Sequence, residues 1–234
     1  MRQKSKDPDE MPPVGLPDGR AARWESHREN RRAELVAAAV AAIDQHGPAA
    51  SIAEIAAVAG VSRPVLYRYF ADKDDLHRAV GRWGATSVLE GLLPALLSDE
   101  PIRERVRAGV DAYLTLIDEH PQVFALLVGH VGPGVRGGDP LADGKEMIAA
   151  AIARTMGDAL RDLGIDAGGA EPWAHGLVGL GLSTGTWWLE RRTMTRAAVG
   201  TYLSGFVWHA FEGIAMEYGV ELDAKGQLRV VTHE

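Results

Sequence analysis

One stretch constrains this chain more than any other: residues 51–73, SIAEIAAVAGVSRPVLYRYFADK. It holds two short helical patterns around a tight turn. Ser51 stands in the N-cap position of the first, and Ile52, Ile55, Ala56 and Ala59 recur at helical spacing. Gly60 falls where that helix must stop, because a residue without Cβ takes the left-handed conformation cheaply. Ser62 is placed to cap a second helix, with Pro64 in its first turn, where a missing N–H breaks no intrahelical bond. That helix offers Arg63, Tyr67, Arg68 and Tyr69, while Val65, Leu66 and Phe70 can face inward. Helix, glycine turn and short polar helix is the helix-turn-helix plan, which delivers side chains to a major groove.

Two helices this short cannot bury a core alone. Upstream, Leu35, Val36, Ala39, Val40 and Ile43 form one apolar helical face ending near His46-Gly47. Downstream, Asp72 is placed to cap a long helix from Lys73, and Asp74 and Asp75 suit the positive end of its dipole. The flanks therefore predict a three-helix head followed by a connector helix.

These residues resemble the TetR family of transcriptional regulators. The matching pattern is Arg32, Leu35, Val36, Ala38 and Ala39, then Gly47, Ile55-Ala56, Ala59-Gly60-Val61-Ser62, Leu66-Tyr67, Tyr69-Phe70, Lys73 and Leu76. It covers residues 31–80; beyond that the resemblance is one of plan. It implies that Ser51, Ser62, Tyr67 and Lys73 meet phosphate and that Arg63 and Val65 lie nearest the bases. Tyr69, Arg32 and Pro64 complete the candidate DNA-facing set, Pro64 being a less usual occupant of the recognition helix.

A net charge of −7 is unexpected for a DNA binder until it is divided. Residues 1–82 hold 13 Lys and Arg against 12 Asp and Glu, and residues 83–234 hold 12 against 20. The acid lies in the second part, so phosphate binding must come from a few placed groups rather than a broad field. No cysteine is present, which removes disulfides and thiolate metal sites. The N-terminus lacks the apolar core of a signal peptide, so an intracellular, cytoplasmic protein is expected. Residues 1–20, with four prolines among mixed charges, read as a disordered tail, whose Arg2, Lys4 and Lys6 offer a minor-groove arm as the alternative to a solvated leader. Arg20, Arg23, Arg28, Arg31 and Arg32 then lead into the first helix, with Glu25, Glu29 and Glu34 as partners on its surface.

After Lys73 the pattern is helical almost throughout, which makes the fold class all-α. The head spans 21–80 and a helical effector-binding and dimerisation domain spans 81–218. The connector is expected to bend or end at Pro94; helices follow from Pro101, Pro121 and about Leu141. The last two, about Glu171–Arg191 and Thr195–Tyr218, carry the longest apolar surfaces. Residues 219–234 suggest a small hairpin around Lys225-Gly226. Residues 172–189 contain no Lys, Arg, Asp or Glu, yet their glycines and hydroxyls make a poor membrane span. Gly181 and Gly185 instead suit close helix packing in a dimer. Tyr202, Phe206, Trp208, Phe211, Ile214 and Met216 place apolar groups on more than one side of the final helix, which requires a core and a partner. The resemblance implies a homodimer through these two helices, with heads over successive major grooves about 34 Å apart. It also implies an effector pocket in the body, for which Trp83, Tyr113, Phe124, Leu127, His130, Met147 and Trp187 are candidates. Few inward charges point to an apolar or amphipathic effector.

Two other function classes each have one feature in their favour. Residues 132–137 spell GxGxxG, but a dinucleotide loop needs a preceding strand and a helix opening at the glycines. Pro121 favours a helix there, so a loop between helices is the better account. An architectural DNA binder without an effector would have a solid body. No histidine has metal-ligand spacing, and neither a cofactor nor a catalytic residue is expected. The expected protein is a ligand-responsive, sequence-specific DNA-binding regulator, a repressor that a small molecule releases from a double-stranded operator.

Overall fold

A computed structural model describes residues 19–129, 142–223 and 226–230. The tail upstream of residue 19, the GxGxxG segment and the candidate pocket residue His130 lie outside them. The helices, in chain order, are α1 (Gly19–His46), α2 (Ile52–Val58), α3 (Arg63–Leu66), α4 (Lys73–Leu96), α5 (Ile102–Glu119) and α6 (Pro121–Gly129). They continue with α7 (Ala142–Asp162), α8 (Ala170–Arg191) and α9 (Arg196–Glu217), before the strands β1 (Val220–Leu222) and β2 (Leu228–Val230).

The head closes around Leu35, Ile43, Ile55, Leu66, Leu76 and Val80, each at most 2% exposed. Its turns are built as the residue types demand. Gly47 ends α1 at φ +86°, donating to Ile43, and Gly60 ends α2 at φ +64°, where Val61 N–H reaches back to the Ala56 carbonyl. The head's apolar cluster does not stop at α4: Val123, Leu126 and Leu127 of α6 belong to it, and Trp83 and Leu182 pack against it. The head is thus seated on α6 by burial rather than tethered by a linker.

In the body α4 packs on α5, α5 on α9, and α7 on both α4 and α8. Pro94 does not end α4 where expected; the helix continues two residues past it, to Leu96. Only the last turn follows it, so the lost hydrogen bond falls where the ladder is about to end. The antiparallel hairpin pairs Val220 with Val230 and Leu222 with Leu228. It docks on the α4–α5 junction, where the Gln227 side-chain amide donates to the Asp99 and Glu100 carbonyls, both at 3.1 Å. Among the described residues no helix is long and apolar enough to cross a membrane.

Candidate nucleic-acid interface and effector cavity

The head presents one continuous polar face. Ser51 caps α2 in a full capping box: its Oγ accepts from Glu54 N–H at 3.3 Å while its own N–H and hydroxyl donate to Glu54 Oε2, each at 2.7 Å. The Ser51 amide and hydroxyl hold the Glu54 carboxyl below its usual value. Ser62 behaves differently. It occupies the N-cap of α3 but its side chain makes no capping bond. Pro64 has no N–H to offer at the second helical position, and the Val65 N–H goes to the Ser62 carbonyl at 3.0 Å. The expected cap is therefore replaced by an exposed hydroxyl beside Arg63.

Helix α3 is a single α turn, extended by Arg68 N–H to Val65 and Tyr69 N–H to Leu66. Ser62, Arg63, Pro64, Tyr67 and Arg68 are exposed, Tyr67 by 52%. Leu66 and Phe70 are buried beneath them. Val65 is half-buried and Tyr69 packs against the head core. Lys73 opens α4, half-buried, next to its capping Asp72. Arg32 sits to one side, its guanidinium 4.7 Å over the Phe70 ring and 3.5 Å from Asp75 Oδ1, so it helps clamp α1 to the start of α4.

The body encloses a cavity of about 240 Å³. Along α4 its lining runs from Trp83 through Val88 and Leu92 to Leu96, a span of about 20 Å at the rise of an α-helix. Across it stand Tyr113 and Ile117 of α5, Phe124 and Leu127 of α6, Ile148 and Ile152 of α7, and Val178 of α8. Few polar groups interrupt this wall, and most are committed. Tyr113 donates to the Gly181 carbonyl at 2.7 Å, its burial raising the hydroxyl's affinity for its proton, and Thr155 donates to the Ala151 carbonyl at 3.1 Å. His120 is bonded to Asp44, and Lys145 is likewise engaged. At the end farthest from the head lies Arg105, which donates to the Leu96 carbonyl; burial depresses its pKa while Asp99 raises it.

Of the candidate pocket residues, Trp83, Tyr113, Phe124 and Leu127 line this cavity. Met147 and Trp187 lie outside that lining. On α7 the inward positions are Gly144, Lys145, Ile148, Ile152, Thr155 and Met156, and Met147 falls off that stripe. On α8 the buried indole is Trp188, whose Nε1 donates to the Met194 carbonyl at 3.0 Å, while Trp187 faces outward. Gly181 and Gly185 also turn inward, against Tyr113: a Cβ on Gly185 would stand 2.4 Å from the Tyr113 hydroxyl. Their small size serves the body's interior, not the dimer face assigned to them from the sequence.

Two models of known families match this chain. Residues 35–80 match the bacterial regulatory proteins of the tetR family, and residues 91–219 match the tetracyclin repressor-like C-terminal domain. The second alone covers more than half the chain. The chain belongs to the TetR family. An uncharacterised HTH-type transcriptional regulator of Mycobacterium tuberculosis is 35% identical over 208 residues, 88% of this chain and 87% of that protein. The HTH-type transcriptional activator FasR of Mycolicibacterium smegmatis is 32% identical over 164 residues, 70% of this chain and 74% of that one. The crystal structure of FadR from Bacillus subtilis in complex with stearoyl-CoA shares the fold at a TM-score of 0.58 and 15% identity, covering 74% of this chain and 95% of that one. As a TetR-family member the chain is a helix-turn-helix transcriptional regulator. Its GxGxxG segment follows a helix, α6, rather than the strand a dinucleotide loop requires.

Sequence reading missed the aliphatic wall of this regulator's cavity (Val88, Leu92, Leu96, Ile148, Ile152 and Val178) and the cation at its far end, Arg105. The inward stripe of each helix was legible; that the stripes fail to meet was not. The glycines Gly84, Gly109, Gly144 and Gly181, all in the lining, were the available signal.

Proposed function

We propose that this TetR-family protein is a cytoplasmic homodimer that grips a double-stranded operator and lets go when an amphipathic small molecule fills its body. The observation that carries the reading is the juxtaposition of an apolar, elongated cavity with a head that shares α6 with it. Val123 and Leu127 lie at once in the head cluster and in the cavity wall.

On the DNA side, Arg63, Pro64 and Val65 are proposed to face base edges, with Ser62, Tyr67 and Lys73 on phosphate. An arginine fork suits guanine, and a hydroxyl donor suits a phosphate oxygen. Ser51, Arg32 and Tyr69 act behind this face, since each already serves the head's own packing or capping. For dimerisation, α8 and α9 supply the surface. Tyr202, Phe206 and Met216 are 69%, 65% and 71% exposed on one side of α9, and Gly205 and Gly213 among them meet nothing within 4 Å. Gly176, Gly179 and Ser183 make a matching small-residue face on α8. Such a face in a soluble regulator is complete only against a second copy.

The effector is proposed to be a long apolar chain ending in an anion. The walls suit the chain and the length suits a long acyl group. Arg105, whose fork has donors beyond the one spent on Leu96, suits a carboxylate or phosphate. The stearoyl-CoA bound by the FadR relative in fold is a ligand of this chemistry. Operator occupancy is proposed to repress; because FasR is named an activator, transcription from the bound promoter with and without the protein fixes the sign.

Mobility shift on the DNA upstream of the protein's own gene tests the reading. Tyr67→Ala should bind that duplex about tenfold more weakly while the body keeps its effector affinity, in line with one hydrogen bond to a charged partner. Equal binding by variant and wild type would remove the head from the mechanism.

A further inference from the structure

One polar contact joins the two halves of the molecule at the cavity itself. His120 Nδ1 lies 2.6 Å from Asp44 Oδ2, and the pair is 76 residues apart in the chain. Asp44 is in the last turns of α1, the first helix of the head. His120 is the residue between α5 and α6, and it lines the cavity. Its ring meets Trp83, also in the lining, edge-on with centroids 5.1 Å apart. Asp44 depends on this contact, because its other oxygen, Oδ1, is buried with no donor in reach among the described residues. A buried carboxylate oxygen left without partners is costly, so the position of α1 is tied to where His120 stands.

We propose that His120 and Asp44 form a latch that holds the head in its operator-binding position and that effector entry opens. They are positioning residues: neither is proposed to touch DNA, and His120 meets the effector only as part of the wall. A chain reaching the Trp83 end of the cavity displaces the His120 ring from its edge contact. The bond to Asp44 then breaks, and the end of α1 leaves its seat on α6. With the two side chains 28% and 26% exposed, water takes the place of His120 on Asp44 Oδ2 when the bond opens. This inference rests on the cavity being the effector site, as proposed above.

The test breaks the latch from both sides without adding an effector. His120→Phe keeps a ring against Trp83 and removes the donor; Asp44→Leu removes the acceptor. Asp44→Asn, which still accepts from the ring N–H, is the conservative control. Affinity is measured for a duplex selected from a random library by the wild-type protein, together with hydrogen exchange of the amides of residues 42–47. In effector-free protein His120→Phe and Asp44→Leu should each lose operator affinity by about tenfold, within the range of allosteric couplings. The 42–47 amides should exchange faster, and Asp44→Asn should stay near wild type. Stearoyl-CoA is then titrated. Because an open latch populates the effector-binding arrangement, the two variants should bind it more tightly than wild type, and it should release them no further. A merely structural role predicts the opposite sign, with both affinities falling together. Unchanged operator affinity in both variants, or joint loss of both ligands, overturns the latch. If wild-type protein takes up no stearoyl-CoA, the effector assignment fails, while the operator and exchange measurements still decide the latch.

Discussion

The head and the body are made from similar apolar side chains and put them to opposite uses. In the head, the side chains of α1, α2, α3 and the start of α4 meet without residue: Leu35, Ile43, Ile55, Leu66 and Leu76 are all but sealed from solvent. In the body the helices carry apolar stripes of the same kind, yet these stand apart and leave a cavity. Glycines separate the two outcomes. The head uses Gly47 and Gly60 to end helices, whereas the body sets Gly84, Gly109, Gly144 and Gly181 inside helices, along the cavity wall. Glycine in mid-helix costs about 1 kcal/mol relative to alanine, and here it goes with close approach: a Cβ on Gly109 would stand 2.7 Å from Leu92 and one on Gly144 3.1 Å from Ala85.

The sharpest way to break this contrast is to truncate one leucine in each half. Leu66→Ala, in the closed head, should cost about 3–5 kcal/mol of unfolding free energy, seen in denaturant melts as a lower midpoint with little change in slope. Leu92→Ala, on the cavity wall, should cost under about 2 kcal/mol, because part of its surface already lacks a packing partner. Equal losses would mean that the cavity collapses in solution. Next in size is Gly185→Ala. The new Cβ meets the Tyr113 hydroxyl, Ile117 and Phe124 at 2.4–3.0 Å, so overpacking of about 1–3 kcal/mol is expected in thermal unfolding. The same substitution at Gly179, which meets nothing within 4 Å in the isolated subunit, should stabilise the monomer by up to about 1 kcal/mol and act on dimer dissociation, followed by sedimentation.

Smaller effects separate the head's surface from its frame. Ser51→Ala should lower stability by about 1 kcal/mol through the lost capping box. Lys73→Ala should leave melting unchanged and reduce the salt slope of operator binding by about 1, with the same loss on every duplex. The smallest effect is one of pH. Glu54 has its folded pKa held below the ordinary 4.5, so its contribution is present above that value and is lost as pH falls through the folded pKa. The stability gap between wild type and Glu54→Gln should therefore be seen at neutral pH and close on acidification, measured by paired melts.

Much of the head was legible because its signals are local. A capping serine, two helix-ending glycines and a proline at the start of a helix each act within one turn, and the apolar spacing around them admits one inward face. Even there one detail escaped. Ser62 reads as a cap from its residue type, and only the loss of the Pro64 N–H, with Val65 turned to a carbonyl, leaves its hydroxyl exposed. In the body the helices were legible and the site was not. Trp187 and Trp188 are adjacent and chemically alike, and which one is buried depends on how α8 rolls against α5. Met147 and Ile148 differ in the same way on α7.

The sequence by itself determined the helices and their order, which follow from periodicity, caps and spacing within short windows of chain, and its motif over residues 31–80 resembled the family. Tertiary structure decided that α6 belongs to both halves, that Gly181 and Gly185 face Tyr113, and that Asp44 meets His120 across 76 residues. Those outcomes depend on how far apart packed helices come to rest, which is set by the summed shapes of side chains distant in sequence and is written in no single stretch of it.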